Sequence, residues 1–311
     1  MKVLISGASG FVGKNLTTYL ERNECQITSI SRNPTGKNQV NWEQVFNDRL
    51  HTDVFIHLAG KAHDLKNTSH AKEYFIVNTD LTIQLFNLFL KSEASDFIYI
   101  SSVKAVADSV NGVLDENSIP NPKTPYGESK LRAEEHLLSQ KLPENKRLFI
   151  LRPCMIHGPN NKGNLNLLYK FAKMGIPYPL ASFENKRSYL SIANLNFVIG
   201  KLISDSSITQ GVYNVADDEP LSTNTVMTLF NEVIGKKNRL WRVKPSIIIA
   251  LASLGDKIKL PLNSHKLQKL TESYIVSNKK IKEALSINQL PVSSTEGLKI
   301  TINSFVHYNK Q

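Results

Sequence analysis

The chain opens on an apolar, β-branched run, Val3-Leu-Ile5, breaks at Gly7, and resumes with apolar positions at Phe11, Val12, Leu16, Tyr19 and Leu20. An unbroken apolar run followed by helical spacing predicts a strand, a tight turn and a helix. Strand-like and helix-like patterns alternate to about residue 158, which predicts an α/β protein. The Gly- and Asn-rich stretch Gly158-Pro-Asn-Asn-Lys-Gly-Asn164 departs from that rhythm. Farther on, Ile247-Ile-Ile-Ala-Leu-Ala-Ser-Leu254 is the longest apolar run, flanked by Lys244, Pro245 and Asp256. It is too short to span a bilayer and reads as a buried helix, with an interfacial contact to a membrane-bound partner as the second reading. No internal repeat or low-complexity segment interrupts the chain.

The first turn carries chemistry of its own. Gly7, Gly10 and Gly13 are spaced Gly-x-x-Gly-x-x-Gly. Glycine lets the backbone bend sharply and approach a pyrophosphate, and the N-terminus of the next helix offers unpaired N–H groups and a positive dipole end. The set predicts a dinucleotide site, the alternative being a strand-to-helix turn that binds nothing.

A second pattern lies in Tyr126-Gly-Glu-Ser-Lys130, which follows Pro125 and runs into strong helix formers. Residues four apart share a helix face. A phenol with a pKa of ~10 is a poor acid or base near neutrality, but a nearby ammonium favours the phenolate and draws that value toward working pH. Tyr126 and Lys130 therefore read as a proton donor and its tuner.

Composition sets limits on this picture. At 311 residues the chain can bury a large core as one big domain or two smaller ones. Two cysteines, Cys25 and Cys154, and no N-terminal apolar targeting segment lead to the expectation of a reduced, cytoplasmic setting. The net charge of +11 would suit nucleic acid or an anionic surface. The lysines read as scattered, with no aromatic-interleaved cluster, so solvated faces and a pyrophosphate substrate account for the excess, and no nucleic acid is expected. No set of metal ligands stands out.

With both motifs on the page, the chain resembles the extended short-chain dehydrogenase/reductase family, and within it the enzymes that epimerise, dehydrate or reduce nucleotide sugars. Further ordered matches carry the resemblance. They are Asp53-Val-Phe-Ile-His57-Leu58-Ala59-Gly60, Asn78, Phe97-Ile-Tyr-Ile-Ser101-Ser102-Val-Lys104, Leu151-Arg152-Pro153 with His157-Gly158-Pro159, Arg187 to Leu195, and Gly211 to Asp217. The resemblance implies a Rossmann-type, doubly wound parallel sheet with a smaller α-rich C-terminal substrate domain. Residues 1–158 plus about 189–215 would bind NAD(P), about 159–188 plus 216–311 would bind substrate, and the cleft between them would hold the site.

Carried over by position, the resemblance makes Ser102, Tyr126 and Lys130 catalytic. Ser101 is the neighbouring candidate, and counting back from the tyrosine favours Ser102. Cofactor contacts fall on Gly7, Gly10, Phe11, Val12, Gly13, Ser31, Arg32, Leu58, Ala59, Gly60, Asn78, Tyr126, Lys130 and Pro153. Substrate contacts fall on Ser102, Lys104, Tyr126, Met155, Asn166, Leu167 and Arg187, where a guanidinium suits phosphate. His57 and Asn78 are expected to be structural. Met155 stands where many sugar epimerases place an asparagine, and the Arg and Asp that hold a uridine ribose have no clear counterpart around Leu270-Thr-Glu-Ser-Tyr274. A homodimer through the Tyr126 helix is also implied.

Enzymes that select NAD usually carry an acid at the end of the second strand. Here the strand ends in Ser31-Arg32, which favours NADP(H) over NAD(H). A reductase must release its oxidised cofactor every turn, whereas an epimerase keeps it. That preference points to a reductase, and Ile100-Ser-Ser-Val-Lys104 resembles a subgroup of bacterial nucleotide-sugar enzymes that includes 4-keto-sugar reductases, so the resemblance implies reduction of C4 of a UDP-4-keto (6-deoxy) hexose in bacterial surface-polysaccharide sugar synthesis. A UDP-hexose or UDP-N-acetylhexosamine 4-epimerase is the alternative, followed by a non-catalytic nucleotide-binding scaffold. A 4,6-dehydratase fits less well, because Val103 and Lys104 stand where that chemistry has acids.

Overall fold

The computed structural model describes residues 1–47, 51–61, 70–161, 165–258 and 263–308. Its strands are β1 (Lys2–Ser6), β2 (Gln26–Ile30), β3 (Gln39–Val40), β4 (Val54–His57), β5 (Asp96–Ile100), β6 (Val113–Leu114), β7 (Arg147–Pro153), β8 (Met155–His157), β9 (Tyr189–Ser191), β10 (Gly211–Val215) and β11 (Ile275–Val276). Seven form one sheet in the order β10-β7-β5-β4-β1-β2-β3, every pair parallel, and β6 with β11 and β8 with β9 make two small parallel pairs.

Side-chain alternation along the strands builds a core on each face of this sheet. Leu4, Phe55, Phe97 and Tyr99 point to one side with Phe86 and Phe89. Val3, Ile5, Ile56, Ile98 and Ile100 point to the other with Leu16, Leu195 and Ile199. Strand order reverses between β1 and β4, so their carboxyl ends diverge there and open the crevice in which doubly wound sheets hold ligands.

A third core gathers Leu165, Tyr169 and Tyr178 with Phe230, Ile248, Leu298 and Phe305, so the segment after Asn164 packs with the C-terminal helices. Part of the C-terminal segment joins the other core. Tyr274, Val276, Ile281 and Leu290 pack against the sheet core, because β11 pairs with β6 beneath it. The apolar run at 247–254 also departs from expectation. It lies in the helix Pro245–Ile258, but only Ile248, Ala252 and Gly255 are buried, while Ile247, Ile249, Leu251 and Leu254 are about half exposed. Its all-round hydrophobicity concealed an amphipathic placement, since 3.6-residue periodicity cannot show when nearly every position is apolar.

Candidate active site

The glycine turn sits at the strand reversal. Gly7 has φ +77°, and a Cβ on it would lie 2.6 Å from Ala59 N; one on Gly13 would collide with Gly7 O. The turn thus lies directly against the loop after β4. The following helix, Phe11–Arg22, begins at Gly10 with no side-chain cap, which leaves its first N–H groups for another acceptor. A cradle with no room for side chains and uncapped donors above it fits a pyrophosphate. Ala59 N donates to Ser6 Oγ at 3.2 Å and Leu58 N to Ser6 O at 3.1 Å, which fixes this floor.

His57 and Asn78 hold the floor rather than face the crevice. His57 is fully buried between Ser6 Oγ (2.5 Å) and Thr82 Oγ1 (2.9 Å), and burial, assisted by the Lys130 charge, lowers its pKa to about 3. The ring is therefore neutral. Asn78, in the π-helical turn Ile76–Asp80, accepts from Lys61 N at 2.7 Å and donates to Ser129 Oγ at 3.0 Å, tying the loop after β4 to the helix Pro125–Ser139.

That helix starts cleanly. Thr124 Oγ1 accepts from Gly127 N, Pro125 occupies the first turn, and Glu128 complements the dipole. A Cβ on Gly127 would collide with Lys104 O, so the helix presses directly on the turn Val103–Ala105. Half-buried Tyr126 is thereby brought to Ser102, whose hydroxyl hydrogen-bonds the phenol, and Tyr74 packs edge-on at 6.2 Å between ring centres. Burial raises the Tyr126 pKa, and the Ser102 bond pulls the other way.

Lys130 is buried. Its Nζ donates to Ile100 O at 2.9 Å, lies 4.8 Å from the Tyr99 ring centre, and stands beside Gly60. Burial lowers its pKa to about 8, opposed by Glu134. The expectation that Lys130 draws the phenol down is therefore corrected. Burial is the largest influence on the phenol and raises its pKa, so Tyr126 is neutral at pH 7.

The two serines diverge. Ser101 Oγ hydrogen-bonds Glu134, whose carboxylate forms a buried pair with Arg152 at 2.5 Å, while Ser102 is the one that reaches Tyr126. Glu134 and Arg152 were missed by sequence reasoning. The signal was present, since Tyr126, Lys130 and Glu134 recur every four residues on one helix face and Arg152 interrupts an apolar strand.

Across the crevice, Arg187 hydrogen-bonds Lys269 O and lies 4.0 Å from Glu272, with Tyr274 bridged to its backbone. Lys104 Nζ donates to Asp108 O at 2.7 Å and sits 4.2 Å from the centre of the Tyr274 ring. Its pKa is lowered chiefly by burial, opposed by the Asp108 and Glu272 carboxylates and assisted by the like charges of Arg187 and Lys269. Lys104, Arg187 and Lys269 thus make a wall with three cations, set among the carboxylates of Asp108 and Glu272. Met155 packs toward the C-terminal core, and Asn166 donates to Asn161 O at 2.8 Å. Leu167 lies in the helix Leu165–Met174, and its side chain is outside the described residues. Pro153 ends β7 beside β10, while Ser31 and exposed Arg32 follow β2, and residues 31–42 of the sequence contain no acid. Among the described residues no group of His, Cys, Asp and Glu could hold a metal ion.

Comparisons with known proteins agree with this architecture. The sequence model of the NAD dependent epimerase/dehydratase family matches residues 3–216. UDP-glucose 4-epimerase of Vibrio cholerae is 29% identical over 99% of this chain and 97% of its own. UDP-2-acetamido-2,6-beta-L-arabino-hexul-4-ose reductase of Pseudomonas aeruginosa is 31% identical over 53% of this chain and 38% of its own. Among solved structures, MoeE5 in complex with UDP-glucose and NAD superposes with a TM-score of 0.77 at 18% identity, covering 99% of this chain and 100% of that one.

Proposed function

The chain belongs to the NAD-dependent epimerase/dehydratase family, and from that premise we propose that it uses NADPH to reduce C4 of a UDP-4-keto-6-deoxy-hexose. The Ser102–Tyr126 hydrogen bond, on a helix that also carries Lys130, supports oxidoreduction at a sugar carbon. The reductive direction rests chiefly on one observation. The end of β2 offers Ser31 and an exposed Arg32 to a ribose 2′-phosphate, and residues 31–42 of the sequence hold no carboxylate to repel it.

The Gly7–Gly13 turn and the uncapped start of the helix Phe11–Arg22 would hold the pyrophosphate of a nicotinamide dinucleotide, which when bound would supply the hydride. The chain's own groups do the rest. Ser102 donates a hydrogen bond to the C4 oxygen, and Tyr126, neutral because it is desolvated, gives that oxygen its proton. Lys130, which stands beside Gly60, would hold the cofactor's ribose, and the Lys104, Arg187 and Lys269 cations would hold the substrate diphosphate. Two copies associate through the Pro125–Ser139 helix, where Leu138 is exposed.

Purified protein should oxidise NADPH when given a UDP-4-keto-6-deoxy-hexose. Arg32→Asp should weaken use of NADPH at least tenfold while sparing NADH, by repulsion of the added phosphate. A second reading, UDP-hexose 4-epimerase, is favoured by the end-to-end similarity to the Vibrio cholerae enzyme. It would appear as interconversion of UDP-hexoses by NMR without added cofactor, and that result would displace the reductase reading.

A further inference from the structure

A line of apolar side chains runs unburied along one flank of the helix Pro245–Ile258. Ile247, Leu251, Leu254 and Ile258 recur at intervals of four, three and four, which places them on one stripe of a helix. They are 47–59% exposed. The buried side of the same helix, Ile248 and Ala252, already packs into the C-terminal core, so the stripe is a second apolar face.

Its surroundings are basic. Residues 236–269 hold nine Lys and Arg and one acid, Asp256, against a net +11 for the whole chain. Most of the excess charge therefore lies in this stretch, and the reading of scattered lysines fails here. Arg242, Lys244, Lys257 and Lys266 are exposed. The single carboxylate is engaged by Ser264, accepting from its N at 3.0 Å and its Oγ at 2.6 Å. Trp241 is 58% exposed just upstream, so an aromatic does interleave the cations.

We propose that this face seats the protein on the surface of an anionic phospholipid bilayer. Apolar side chains on one flank enter the acyl boundary, ammonium and guanidinium groups meet lipid phosphates, and an exposed indole suits the headgroup layer. A second copy would fit less well, because two such faces would bring like charges together. The helix rests on the bilayer without crossing it: 14 residues rise only about 21 Å, and no described helix is long and apolar enough to span. The neighbouring helix Ser264–Thr271 carries Lys269, whose carbonyl accepts from Arg187. Docking therefore brings the cationic wall of the site to within one helix of the membrane. The inference stands whichever reaction the site performs.

Flotation of the full chain tests it, with vesicles of phosphatidylglycerol and phosphatidylcholine beside pure phosphatidylcholine. The protein should rise with the anionic vesicles, and in a Trp42→Phe background the Trp241 emission should shift to the blue. A Leu251→Asp/Leu254→Asp variant, with circular dichroism and melting unchanged because both positions are exposed, should bind at least tenfold more weakly. Each of Lys257→Glu and Lys266→Glu should weaken binding about fivefold or more. Wild-type protein that stays at the bottom, or that binds neutral vesicles equally well, would overturn the proposal. So would a Leu251→Asp/Leu254→Asp variant that floats unchanged but halves its mass by light scattering, because the face would then join two copies.

Discussion

Ser101 and Ser102 are adjacent in sequence yet have different partners, and the difference has measurable consequences. Ser102 meets the Tyr126 phenol, so Ser102→Ala should lower kcat about 10²-fold, the usual effect of losing one donor to a developing oxyanion, with melting unchanged. Ser101 supports the buried Glu134–Arg152 pair, so Ser101→Ala should cost about 1–2 kcal/mol of stability and spare kcat. The opposite pattern would move the substrate hydroxyl to Ser101. Spacing from the tyrosine made Ser102 legible in the sequence. Glu134 and Arg152 were not, because their pairing joins a helix to a strand 18 residues away. Tyr126 and Lys130 were legible as a helix pair, but the direction of the phenol's shift depends on desolvation, which no local pattern encodes.

Among the elements, the helix Pro125–Ser139 and the turn Val103–Ala105 form the working unit. They touch backbone to backbone at Gly127, a contact that holds Tyr126 against Ser102. Gly127→Ala should push them apart, costing about 1–3 kcal/mol as overpacking does. It should also lower kcat more than it raises KM, since the proton donor moves while the Arg187 side of the site does not. The Gly7–Gly13 turn was readable because its residue types are dictated by local backbone geometry. The helix Pro245–Ile258 was readable in extent but not in placement. Its burial is decided by Leu267 and Phe230, which the fold brings up from other segments.

For the whole molecule, an α/β architecture was legible from alternating patterns, and its doubly wound parallel sheet followed from the resemblance. The pairing of β11 with β6 left little trace in the sequence, since each strand is only two residues long. One stability consequence belongs to this scale. His57 ties β1 and β4 to Thr82 and titrates near 3 when folded, against 6.5 ordinarily. Between those values the unfolded chain binds a proton that the folded one does not. Stability should therefore fall as pH drops from 6.5 toward about 3, by about 1.4 kcal/mol per pH unit. Urea midpoints across that range should show this slope, and His57→Gln should lose it.

The central claim is that Tyr126 protonates a sugar oxygen while hydride arrives at the carbon beneath it. It is tested most directly by giving the enzyme a UDP-4-keto-6-deoxy-hexose and NADPH deuterated at the transferable position, then locating the label. Deuterium at C4 of the product, with turnover reduced at least about 10³-fold in Tyr126→Phe at unchanged cofactor affinity, is the expected result. Unlabelled product, or a Tyr126→Phe enzyme that turns over normally, would contradict the account.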